Sequence, residues 1–138
     1  MGSMCPSTSL NTYDATFAAG LLEAATQAQC SARPCLLLAF DTAFPEPVRR
    51  LRPISDAMGV AMVLSPQQTA ASRARIALTP SSEAPSRMQD SALEQLRCDI
   101  PAARSLPLLE MLAQNRHGAV VLDYLGALSL HVQVAAVA

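Results

Sequence analysis

The sequence predicts an α/β fold in which a mixed sheet packs against a buried, alanine-rich helix. Three observations carry that expectation. A Pro-free stretch from Asn11 or Thr12 to Ala28 is long enough for four turns of helix. Two short apolar runs, Cys35 to Phe40 and Met58 to Leu64, have the length of strands. Near the end of the chain, Leu128, Leu130, Val132 and Val134 alternate with Ser129, His131 and Gln133, the two-residue period of a strand with one wet face.

In the first element, Asn11 or Thr12 is a good helix N-cap, and Asp14 falls in the first turn, where a carboxylate suits the helix dipole. Ala15, Ala18, Ala19, Gly20, Ala24, Ala25 and Ala28 are small enough to admit a neighbouring backbone, while Phe17, Leu21 and Leu22 are large; deep burial follows. The unbroken run Cys35 to Phe40, ending at Asp41, reads as a strand covered on both faces. From Thr42 to Ser55, Pro45, Pro47 and Pro53 alternate with Arg49, Arg50 and Arg52, which predicts an exposed loop. Met58 to Leu64, stopped by Ser65 and Pro66, and Arg75 to Leu78 are two further strands able to form a hairpin.

Residues 79–90, rich in Ser and Pro, read as a mobile linker. Ser91 to Arg97 is a short helix, and Ala102 to Arg116 a longer one that tolerates Pro107 near its start and stops at Gly118. Ala119 to Tyr124 and Ala127 to Val137 are strands joined at Gly126. Residues 7–138 thus form a single domain, and residues 1–6 read as a cloning remnant and disordered start.

Composition narrows the function classes. Hydrophobic residues make up 51% of the 138 and charged residues 15%, ample for a core and lean for a surface, so some apolar surface is expected to seek a partner. A net charge of -1 and the lack of a basic run interleaved with aromatics argue against nucleic acid. All ten basic residues are arginine, which removes lysine Schiff-base and P-loop chemistry. No apolar stretch reaches the roughly 20 residues of a membrane span, and no secretory leader is written, so a cytoplasmic protein is expected. Cys5, Cys30, Cys35 and Cys98 form no Cys-x-x-Cys pair and have no histidine at zinc spacing, so no metal, cofactor or disulfide is called for. A Ser/His/Asp hydrolase would need a Gly-x-Ser-x-Gly elbow, which does not occur.

The segment Tyr13-Asp14-Ala15-Thr16-Phe17-Ala18-Ala19-Gly20-Leu21-Leu22-Glu23-Ala24-Ala25 resembles the buried central helix of beta-ketoacyl synthase-like N-terminal domains. Leu36 to Asp41, Pro45-Glu46-Pro47, Arg52-Pro53-Ile54 and Gly59 to Leu64 follow in the same family order, and the likeness is good from about Ser7 to Ser65. It implies part of a thiolase-like α/β layer, in a subgroup similar to ketosynthase-like proteins of fatty-acid-type, polyketide and aryl-polyene pigment pathways. It also implies an acyl carrier protein as partner, and a homo-oligomer or a heterodimer with another ketosynthase-like chain. In such enzymes a cysteine at the start of this helix takes the acyl chain as a thioester, because a helix N-terminus stabilises a thiolate. The resemblance places Asp14 near that position, with Cys5 well upstream and Cys30 at the far end of the helix. It further implies that the catalytic histidines come from a C-terminal half without counterpart in these 138 residues, and that the first part of the sheet is missing. The domain is therefore expected not to condense acyl units alone. The alternatives are one part of a condensing enzyme completed by another chain, or a non-enzymatic dimerisation or binding module.

Each candidate residue has a structural reading beside its functional one. Asp14 is a functional carboxylate or a first-turn dipole partner. Asp41, at the carboxyl end of a strand, is a ligand contact or a turn cap. Arg49, Arg50 and Arg52 are suited to a phosphate or an acidic protein surface, or form a solvated loop face. His117 at a helix end and His131 on a polar strand face read as structural.

Overall fold

A computed structural model describes residues 5–137; the start expected at residues 1–6 lies outside them up to residue 4. The chain is an α/β arrangement of helices and two small antiparallel sheets. In chain order it contains α1 (Thr16–Ser31), β1 (Cys35–Asp41), the single turn α2 (Val48–Leu51), β2 (Met58–Leu64), β3 (Arg75–Ser81), α3 (Ser91–Asp99), α4 (Leu106–Ala113), β4 (Gly118–Asp123) and β5 (Ser129–Ala135). Short 3-10 segments, Tyr13–Ala15 and Pro101–Ser105, lead into α1 and α4.

Among the described residues every strand pairing is antiparallel, which corrects the expected mixed sheet. β1 pairs β2 with Cys35 opposite Leu64 and Asp41 opposite Met58. The second sheet has the order β3-β5-β4. The hairpin expected between β2 and β3 does not form, because the polar stretch between them carries the chain from one sheet to the other.

α1 begins where Asn11 Oδ1 accepts the Tyr13 amide and the Thr16 hydroxyl donates to the Tyr13 carbonyl at 2.6 Å. Thr12 contributes no side-chain cap. Tyr13 itself is left-handed, with φ 59°, a conformation that costs a non-glycine residue about 1–2 kcal/mol. The helix buries one face, Phe17, Ala18, Gly20, Leu21, Ala24 and Ala28, and leaves Thr26 and Gln29 exposed. That face shares one core with Leu37 and Ala39 of β1 and with Val120, Leu122, Leu130, Val132 and Val134 of the other sheet. Phe17 and Leu21 are fully buried, each contributing about 2–3 kcal/mol of apolar transfer. The small side chains act as expected: a Cβ on Gly20 would sit 3.0 Å from Leu37 Cδ1.

β1 departs from its expected double coverage. Leu37 and Ala39 are buried, while Leu36, Leu38 and Phe40 on the other face, with Val63 of β2, are 59 to 75% exposed. An unbroken apolar run therefore marks one covered face and one open apolar face. The loop over 42–55, including the helical turn α2, is exposed apart from the half-buried Arg52 and the buried Ile54, which forms a small second core with Ile100 and Ala103.

Residues 79–90 divide between structures. Thr79 to Ser81 belong to β3, and the remainder is held to the second sheet: Ser86 exchanges two hydrogen bonds with Val121, and the Ser129 hydroxyl donates to the Glu83 carbonyl. α3 is capped by Asp90, whose carboxylate accepts the Ala92 and Leu93 amides. The helix expected over Ala102 to Arg116 is split, because Pro107 has no amide to give and forces a 3-10 segment ahead of α4. α4 stops at Ala113, and the left-handed residue beyond it is Asn115, φ 50°, rather than Gly118, which opens β4. The β4–β5 turn lies at Gly126, φ 60°, as expected.

Candidate functional site

The residues leading into α1 and the ends of β4 and α3 bring six charged side chains into one chain of ion pairs. Asp14, on the 3-10 turn ahead of α1, pairs with Arg52 through Oδ1 and with Arg104 through Oδ2 at 3.5 Å. Arg104 comes from the 3-10 segment that Pro101 starts, and its Nη1 lies 3.0 Å from Asp123 Oδ2 at the end of β4. Arg97 of α3 reaches the same oxygen at 2.7 Å. It also donates from Nε and Nη2 to the two oxygens of Glu94, each at 2.8 Å. Arg52 lies over the ring of Tyr13, 4.8 Å from its centroid, so the strained residue beside Asp14 also carries a cation–π contact.

Burial sets the electrostatics of this chain. The side chains of Arg97 and Arg104 are 8 and 18% exposed, so their charges require the carboxylates around them. The Arg97 guanidinium, helped by the Met88 amide, holds Glu94 down at about 2 against an ordinary 4.5. The hydrogen-bonded Glu94 carboxylate in turn pushes Arg97 up, with Asp123 adding to it. Arg104 Nε is buried without a hydrogen-bond partner among the described residues.

Beside the network lies a cavity of about 300 Å³, lined in part by Asp14, Glu83, Arg104, Asp123 and Tyr124. Three carboxylates and one guanidinium make it a polar space. A larger cleft, about 800 Å³, runs along the other end of α1 at Ala25 and Ala28. Chemically, Asp14 is a carboxylate held by two guanidiniums, and none of the four cysteines lines the cavity beside it. Cys5, Cys30 and Cys98 are exposed and Cys35 half-buried, and none of the four is in a disulfide.

Of the residues singled out in the sequence, Asp14 and Arg52 are brought together. Asp41 accepts the Ala102 amide at 2.6 Å, tying the end of β1 to the 3-10 segment that carries Arg104. Arg50 pairs with Glu46 on the surface at 3.1 Å, and Arg49 is exposed on α2. His117 is exposed, and His131 lies 3.3 Å from Glu83. Sequence reasoning missed Arg97, Arg104, Asp123 and Glu94. A signal was present: in a chain only 15% charged, Arg104 interrupts an apolar and Pro-rich stretch, and Asp123 ends an apolar strand. No helix among the described residues is long and apolar enough to cross a membrane.

Comparison with known proteins adds one positive finding. The family profile described as the beta-ketoacyl synthase N-terminal domain matches residues 1–123. Neither curated proteins nor solved structures gave a match. With nearly nine-tenths of its length covered by that profile, the chain belongs to the beta-ketoacyl synthase N-terminal domain family.

Proposed function

We propose that this chain is a ketosynthase-like domain serving acyl-chain assembly of the fatty-acid, polyketide or aryl-polyene type, and that it does not itself carry the acyl chain. One observation carries the reading: the turn entering α1 presents Asp14, paired with Arg52 and Arg104. A carboxylate neutralised by two guanidiniums is a poor nucleophile, and it forms no thioester. The family membership supports a thiolase-like layering of α1 between sheets, an acyl carrier protein as partner, and a cytoplasmic setting. In this reading Asp41 and the exposed Arg49 and Arg50 meet the partner or its ligand only as secondary contacts.

A second reading has a specific observation behind it. The outer face of β1 and β2 is apolar and open, and each of these strands pairs only with the other among the described residues. A two-stranded sheet with an open apolar face is stable chiefly when something covers it, which favours association with another ketosynthase-like chain, of the same or a different kind. A condensation assay with acyl-loaded carrier protein and an extender separates the readings. Without a second chain no condensed product is expected. Product formed by this chain alone would refute the proposal, and product formed only with a second chain would support the heteromeric form.

A further inference from the structure

The cleft at the far end of α1 differs from the polar cavity in both lining and charge. It lies between the two sheets, with Met62 and Leu64 of β2 on one side, Ile76 of β3 and Leu112 of α4 on the other. These four side chains are only partly buried, so apolar surface is left facing the cleft. Its volume, about 800 Å³, falls within the roughly 300–1,000 Å³ of small-molecule sites. Arg73 and Arg75 also line it, and no Asp or Glu does. Neither arginine is ion-paired with a carboxylate among the described residues. Arg50, Arg52, Arg97, Arg104 and Arg116 have carboxylate partners; Arg33, Arg49 and Arg87 have none among the described residues, but they do not line the cleft, whose apolar side chains stand beside polar ones such as Gln29 and Asn115.

We propose that this cleft binds an amphipathic organic anion, its apolar body between Met62, Leu64, Ile76 and Leu112 and its anionic head at Arg73 and Arg75. The chemistry follows from the lining. Apolar walls reward a hydrocarbon body, and guanidinium forks bind carboxylate or phosphate oxygens with charge-assisted hydrogen bonds. A polyanion fits poorly, because two arginines neutralise little charge and Met62, Leu64, Ile76 and Leu112 offer an anion nothing. The site is separate from Asp14: fourteen residues of helical rise set Ala28 about 20 Å from it. The inference therefore stands independently of the reading of Asp14.

The test titrates the full chain, with labelled methyl groups, with decanoate, decyl phosphate and decanol below their aggregation concentrations. Saturable binding of at least one anion is expected, with shifts confined to the methyls of Met62, Leu64, Ile76 and Leu112. That anion should bind about tenfold tighter than decanol, the worth of one charge-assisted contact. R73Q/R75Q is expected to lose that advantage and to bind decanol as before. Which head group binds tighter identifies the ligand class more closely. R73Q alone, outside any helix or strand, provides the same comparison should the double variant unfold. Decanol binding as tightly as both anions, unchanged anion affinity in the variants, or shifts located elsewhere would overturn the proposal, as would the lack of saturable binding.

Discussion

Replacing Arg97 by Met tests the ion-pair chain at its most buried link. The substitution keeps an apolar stem of similar length and removes three charge-assisted hydrogen bonds, two to Glu94 at 2.8 Å and one to Asp123 at 2.7 Å. Breaking a fully buried pair by removing one partner costs about 3–5 kcal/mol. Here the carboxylates are 24 and 27% exposed, and Asp123 keeps Arg104, so water and the remaining pair recover part of that loss. The expected destabilisation is about 2–3 kcal/mol, a large fraction of the roughly 5–15 kcal/mol that a domain has. Thermal unfolding followed by far-ultraviolet circular dichroism should show Tm falling by about 6–12 °C. The double variant R97M/E94Q should be no worse than R97M, because it removes the carboxylate left unpaired. A single-variant loss below about 0.5 kcal/mol would place the network among surface charges and refute the argument.

Four further outcomes follow from particular residues. Glu94 titrates near 2 when folded against an ordinary 4.5, so its contribution to stability is fully present above about 4.5 and is lost as pH falls toward 2; urea midpoints across that window should fall with acid, and R97M should flatten the slope. Asp41→Ala leaves the buried Ala102 without its side-chain acceptor and should cost about 1–2 kcal/mol in urea unfolding. Gly20→Val places methyls where Leu37 Cδ1 already sits and should cost about 1–3 kcal/mol, read from the same transition. Phe40→Ser, on the open face, should change stability by less than about 0.5 kcal/mol while reducing association in sedimentation velocity.

What the sequence revealed depended on whether the signal was local. β2 was readable to the residue because Met58 to Leu64 is an apolar run with Ser65 and Pro66 closing it. The Gly126 turn was equally plain. Which strands pair is a long-range matter, and nothing near Leu64 or Arg75 announces that β3 joins β5 and leaves β2 to β1. The same limit explains β1: Leu36 and Phe40 look like Leu37 until one knows that a single layer covers the strand. At the site, Asp14 stood out through family resemblance and helix position. Arg52 was read as one of three similar loop arginines, and only the fold distinguishes the one beside Asp14 from Arg49 and Arg50. Arg97, Arg104 and Asp123 come from three separate elements, so their convergence is a property of tertiary structure.

Peptide-level mass spectrometry of the chain after exposure to carrier protein bearing an isotopically labelled acyl group weighs the account at its root. With an ion-paired carboxylate entering the helix, the expected result is unlabelled Cys5, Cys30, Cys35 and Cys98. A hydroxylamine-sensitive acyl label on any of these thiols would contradict it.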